Sequence, residues 1–142
     1  MYQRLVAAVD LSGNAGAILD AAHRLCVELD GLRVVHVTEA PVTGYGLNMA
    51  RHRINSDVQA KAVYFPLLKA LVEAHGLPHS SIDLRLGRPV EEIRNAAEEH
   101  QAELIVIGSH GYGGVRALLG RTANGVLQHA RCDVLAVRIV PA

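Results

Sequence analysis

The 142 residues, half of them hydrophobic, suit a single domain over 1–142 that buries a real core. Lys and Arg total 14, as do Asp and Glu, so no net field draws the chain to nucleic acid or an anionic membrane. A nucleic-acid binder carries a clustered excess of basic residues, and none is visible here.

The opening MYQRLVAAVD has no apolar core followed by a small-residue cleavage site, so it does not read as a signal peptide. Within it, Leu5–Val9 is the first of five short apolar runs; the others are Leu32–Val37, Ile82–Leu86, Leu104–Ile107 and Val134–Val137. Four are nearly continuous Val, Leu, Ile and Ala, the pattern of strands covered on both faces of a parallel sheet. Ile82–Leu86 alternates instead, which predicts an edge strand with one wetter face. No run approaches the roughly 20 residues needed to span a bilayer. Cys26 and Cys132 lie far apart in apolar surroundings, which favours reduced, buried thiols and a cytoplasmic location.

Helical periodicity fills the gaps. Ile18, Ala22, Leu25, Cys26 and Leu29 make one stripe, with Ser12 or Asn14 as candidate cap. Val58, Ala62, Phe65, Leu68 and Val72 make a second, ending at His75-Gly76-Leu77-Pro78 and interrupted by Pro66, for which no functional reading offers itself. Pro89 suits the first turn of a third helix, with Glu91 and Glu92 at its positive end and Val90, Ile93 and Ala97 toward the sheet. Ala123, Val126, Leu127 and Ala130 form the last stripe. The order is β-α-β-α-β-α-β-α-β, with right-handed connections. Thr38–Asn55, holding Gly44-Tyr45-Gly46, reads as an irregular connection, of a length found in lids, binding loops and unstructured connectors alike.

If the chain starts mid-sheet, moves outward through two strands and returns to the other side, the strand order is 3-2-1-4-5. A ligand then binds at the carboxyl ends of strands one and four, where the order reverses. Those ends carry Asp10 and Gly108-Ser109-His110-Gly111. The segment from Gly108 to Thr122 has five glycines, Gly108, Gly111, Gly113, Gly114 and Gly120. Glycines let a ligand approach the main chain, and successive N–H groups form an anion nest. The N-terminus of the next helix adds partial positive charge. Thr122 offers a hydroxyl, Arg116 and Arg121 a charge, and Asp10 an acceptor for ribose hydroxyls or a ligand for a metal beside phosphates. A tight strand-to-helix turn needs glycines too, and the pattern is neither a P-loop nor a dinucleotide fingerprint.

The start LVAAVDLS, the strand VVHV and the stretch VIGSHGYGG…LLGRTANGVLQHARCDVLAVR resemble the universal stress protein family, in order and over nearly the whole chain. The resemblance implies an α/β fold with a five-stranded parallel sheet of order 3-2-1-4-5 and helices on both faces, adenine nucleotide alpha hydrolase-like. It also implies ATP or AMP as cofactor, with or without Mg2+, and a homodimer paired through the last strand, Val134–Arg138. Many members bind ATP through Gly-x2-Gly-x9-Gly-Ser/Thr after the fourth strand. By similarity, Asp10 meets the ribose and phosphates, Val37 and Ile107 line the adenine pocket, and Gly108, Gly111 and Gly120 shape the phosphate loop. Two features depart from the pattern: eight residues separate Gly111 from Gly120, and Arg121 stands where Ser or Thr is expected, with Thr122 one later. Arg121 either replaces a hydroxyl contact with a charged one or blocks the phosphate pocket.

Of eight histidines, His110 alone is well placed to meet a ligand, or else to orient the loop. His36 reads as a hydrogen-bonded core residue. His75 and His79 flank Gly76 and Pro78, which disrupt a helical metal-binding pair. Ser12 and Ser109 lack a nucleophile elbow, and no acid–base pair emerges, so the expected activity is at most slow ATP hydrolysis. Two alternatives remain: the same dimer acting through protein contacts with no nucleotide bound, and an adenine-nucleotide hydrolase.

Overall fold

Strands apolar on both faces need helices above and below, and the chain supplies them alternately. The computed structural model describes residues 1–11, 13–39, 49–109 and 120–139, and of 49–57 the backbone only. The strands are β1 (Leu5–Ala8), β2 (Leu32–Thr38), β3 (Ile82–Leu86), β4 (Leu104–Gly108) and β5 (Asp133–Val137). They form one parallel sheet in the order β3-β2-β1-β4-β5, as expected. The helices are α1 (Ala15–Leu25), α2 (Met49–Ala74), α3 (Pro89–His100) and α4 (Arg121–His129), with short 3-10 turns at Leu29–Gly31 and His79–Ser81. None is long and apolar enough to cross a membrane among the described residues.

Each sheet face has its own core. Leu5, Ala7 and Val34 pack under Ile18, Leu19 and Ala22 of α1 and Leu68 and Val72 of α2. Val6, Ala8, Val35, Ile105 and Ile107 pack under Ile93, Ala96 and Ala97 of α3 and Ala123 and Val126 of α4. Fully burying each large aliphatic side chain contributes about 1.5–3 kcal/mol, and this dominates the fold's stability. Gly125 lets α3 and α4 approach, since a Cβ there would sit 2.6 Å from Val90 Cγ2.

Several boundaries differ from the sequence reading. The first stripe stops at Leu25: Cys26 turns extended and bridges Tyr2, whose N–H donates to the Leu25 carbonyl at 2.9 Å. Leu29 falls in the following 3-10 turn. Asn14 occupies the N-cap without a side-chain capping bond, and Ser12 lies outside the described residues. Met49–Asn55 belong to α2 rather than to an irregular connection, while 40–48 lie outside the described residues. The helix runs on through Pro66.

Two apolar stripes compete on α2, and periodicity alone could not choose between them. Ala60, Leu68 and Val72 are buried, whereas Val58 and Phe65 of the expected stripe are 62% and 43% exposed. Leu127 of α4 is likewise exposed. At the end of α2 the glycine signal holds in detail. Gly76 takes φ 69°, with Leu77 N–H on the Val72 carbonyl and Gly76 N–H on that of Glu73. β3 is an edge strand, as predicted, but all five residues are half-buried. Arg85 and its carboxylate partners cover the face expected to be wetter.

Candidate functional site at the β1–β4 switch point

From β1 the chain steps to β2 and β3 on one side; from β4 it steps to β5 on the other. The order therefore reverses between β1 and β4, whose carboxyl ends open a crevice. Ala8 pairs with Ile107, so Val9-Asp10 and Gly108-Ser109 leave the sheet side by side. Asp10 is exposed there. Leu11 follows in the left-handed region at φ 61° and Gly13 at φ 99°. A non-glycine residue in that conformation costs of order 1 kcal/mol and is concentrated at functional sites.

The β4 side is closed by three bonds, all at Ser109. Ser109 is buried, and its N–H donates to the Val137 carbonyl at 2.8 Å. Its carbonyl accepts the Gly120 N–H at 2.5 Å. The Ser109 hydroxyl accepts the Ile139 N–H at 3.1 Å. Ser109, set aside above as a nucleophile, is thus the joint between strand, helix and last strand. Only its position directly after a buried strand hinted at this.

Gly120 is the N-cap of α4, its carbonyl receiving the Asn124 N–H at 2.9 Å. Its own N–H is spent on Ser109. The donors that helix geometry leaves without intrahelical partners are those of Arg121, Thr122 and Ala123. Arg121 is exposed and Thr122 half-buried on the first turn. His110 and Gly111 lie outside the described residues.

The apolar candidates share one face. Val37 and Ile107 both pack with the α3–α4 cluster, Ile107 buried and Val37 half-buried. Beside Val37, Thr38 Oγ1 is buried at the carboxyl end of β2 with no hydrogen-bond partner among the described residues. His36 is a hydrogen-bonded core histidine as predicted, its Nδ1 2.8 Å from the Val9 carbonyl.

This donor set fits an adenine nucleotide: an exposed carboxylate, helix N–H groups without intrahelical partners, a cationic side chain and an apolar floor. Mg2+ takes one or two carboxylates plus phosphate oxygens, and Asp10 supplies such a carboxylate. No group of three metal-ligating side chains forms among the described residues.

The universal stress protein family model matches residues 1–138. The chain belongs to the universal stress protein family. Universal stress protein A homolog 1 of Coxiella burnetii is 31% identical over 138 residues, covering 96% of each chain. Universal stress protein YxiE of Bacillus subtilis is 32% identical, covering 97% of this chain and all of its own length. The solved universal stress protein UspA from Lactobacillus plantarum shares the fold at TM-score 0.70 and 20% identity, covering 96% of this chain and 98% of its own. A universal stress protein solved in complex with cAMP aligns at TM-score 0.54 and 24% identity, covering 96% and 97%.

Proposed function

We propose that this universal stress protein binds ATP or AMP in the crevice between β1 and β4 and acts as a cytoplasmic homodimer in a stress response. The observation carrying the reading is the Gly120–Ser109 bond, which sets the amino end of α4 beside the strand end that bears Asp10. Arg121 and the N–H groups of the first α4 turn take the phosphates, Asp10 the ribose hydroxyls, and Val37 and Ile107 the base. The relative solved with cAMP supports an adenine nucleotide as the ligand class. β5 is the sheet edge opposite β3 and carries exposed Ala136, which supports pairing of two copies along Val134–Arg138.

The test is isothermal titration of ligand-stripped protein with Mg-ATP and with AMP. The expected result is saturable binding with a rise in Tm. Absence of heat and of thermal stabilisation at millimolar ATP overturns it and leaves a dimer that acts through protein contacts alone. Arg121, standing where the family pattern has Ser or Thr, is the observation that favours that second reading.

A further inference from the structure

His36 connects three parts of the fold. It lies on β2, paired in register with Leu84 of β3, and only 8% of it is exposed. Its ring packs against Tyr64 of α2 at 5.1 Å between centroids, tilted by 48°. Its Nδ1 lies 2.8 Å from the Val9 carbonyl oxygen. A carbonyl only accepts, so Nδ1 carries the hydrogen and the imidazole donates. The Val9 N–H is meanwhile held by the Val35 carbonyl at 2.9 Å. Both polar groups of Val9 are thus fixed from β2, one by main chain and one by a side chain. The next residues are Asp10 and the left-handed Leu11.

We infer that His36 is a positioning residue for the nucleotide crevice: its Nδ1–H, braced by Tyr64, fixes the Val9–Asp10 peptide and so aims Asp10. The inference rests on Asp10 being a ligand contact. Removing the donor leaves a buried carbonyl unpaired and frees the strand end to turn, at the point where the chain enters its unusual backbone conformation. Tyr64 supplies the wall that keeps the imidazole in place, so α2 is tied through one ring to the crevice.

The test separates the donor from the bulk of the ring. Asn places its side-chain N–H near the position of His Nδ1, Gln places it one bond further out, and Leu fills space with no donor. His36→Leu is expected to weaken Mg-ATP binding about tenfold, and His36→Asn to restore it to within about threefold. The imidazole 15N shifts of the wild type should report hydrogen on Nδ1. Equal affinity in His36→Leu and wild type, or an Asn variant as weak as Leu, overturns the inference. If His36→Leu does not fold, the contrast of His36→Asn with His36→Gln decides, with only Asn expected to bind normally. If the wild type itself binds no Mg-ATP, the proposed function falls. The positioning is then read from the Asp10 and Leu11 amide resonances, which should move in His36→Leu and return in His36→Asn; resonances that stay put overturn it.

Discussion

The Gly120 N–H donates to the Ser109 carbonyl at 2.5 Å, so the chain leaves β4 and enters α4 at one point. This bond occupies the amide of the last motif glycine. In the proposed function, the phosphates therefore fall to the amides of Arg121, Thr122 and Ala123 and to the Arg121 side chain.

Arg121 is exposed at the first position of α4, where its side chain can reach an anion at the helix's amino end. Arg121→Ser should weaken Mg-ATP binding about fivefold, the worth of one exposed charge-assisted hydrogen bond. Titration calorimetry at two ionic strengths checks it, since the loss should shrink as salt screens the arginine. Tighter binding by the variant would assign Arg121 the blocking role.

Ala136 is exposed on the β5 edge while Val134, Leu135 and Val137 are half-buried. A lysine on such an edge opposes pairing with another strand without disturbing a core. If the proposed dimer forms along β5, Ala136→Lys should convert it to monomer in sedimentation velocity at micromolar concentration, with the Tm of the isolated fold shifting by no more than a few degrees. A dimer that persists would move the interface elsewhere.

The strands and their order were legible because continuous apolar runs separated by helical stripes admit few parallel arrangements. That Asp10 and Gly108 leave the sheet side by side was legible for the same reason: topology puts the ends of strands one and four together. Hydrogen bonds between residues distant in the chain were not legible. Ser109 binding Ile139 and the Tyr2–Cys26 bridge leave no periodic trace, so the apolar stripe of α1 continues past Leu25, where the helix ends. The α2 face was legible in part: Leu68 and Val72 of the expected stripe are buried, but Val58, Ala62 and Phe65 are exposed and Ala60 and Tyr64 turn inward, a choice that periodicity leaves open.

Gly31 illustrates a contact that only three dimensions reveal. A Cβ there would stand 1.8 Å from the Gln3 carbonyl oxygen, a backbone atom that no rotamer change can move. Gly31→Ala should cost about 3 kcal/mol or more, the upper end of overpacking penalties, and lower Tm by roughly 10 °C. At Gly16 of α1 the nearest atom to an added Cβ is 3.9 Å away. Gly16→Ala should instead stabilise by about 0.5–1 kcal/mol through lower backbone entropy in the unfolded chain. Differential scanning calorimetry of the two variants reads both signs.

Arg85 on β3 holds Asp83 at 3.0 Å, Glu92 at 3.5 Å and Glu99. Burial works against its charge, but the hydrogen bonds to Asp83 and Glu99 outweigh it, and its pKa is raised. A cation with a raised folded pKa contributes stability below its unfolded value, so this contribution is constant through neutral pH. Arg85→Met keeps the stem but leaves three carboxylates together. Discounted for the exposure of Glu99, the loss should be about 1–2 kcal/mol by urea unfolding at pH 7. An unchanged midpoint would show the network to be energetically neutral.

The alkaline limb has the opposite sign. Burial pushes the thiols of Cys26 and Cys132 up, and the bond to Asp133 at 2.7 Å does the same for the Tyr2 hydroxyl. Each group ionises in the unfolded chain before it does so in the native one. As pH rises past the unfolded thiol value of about 8.5, the unfolded state binds fewer protons and stability falls. Cys26 is buried and Cys132 only half-buried, so Cys26 should dominate the thiol part of that loss. Cys26→Ala should therefore lower stability by about 1 kcal/mol at pH 7 through lost packing, yet fall less steeply than the wild type between pH 8 and 10. Urea titrations across that range test it. Parallel pH profiles for the two proteins would mean that the Cys26 thiol ionises alike in both states, and the alkaline sensitivity would then belong to Cys132 and Tyr2.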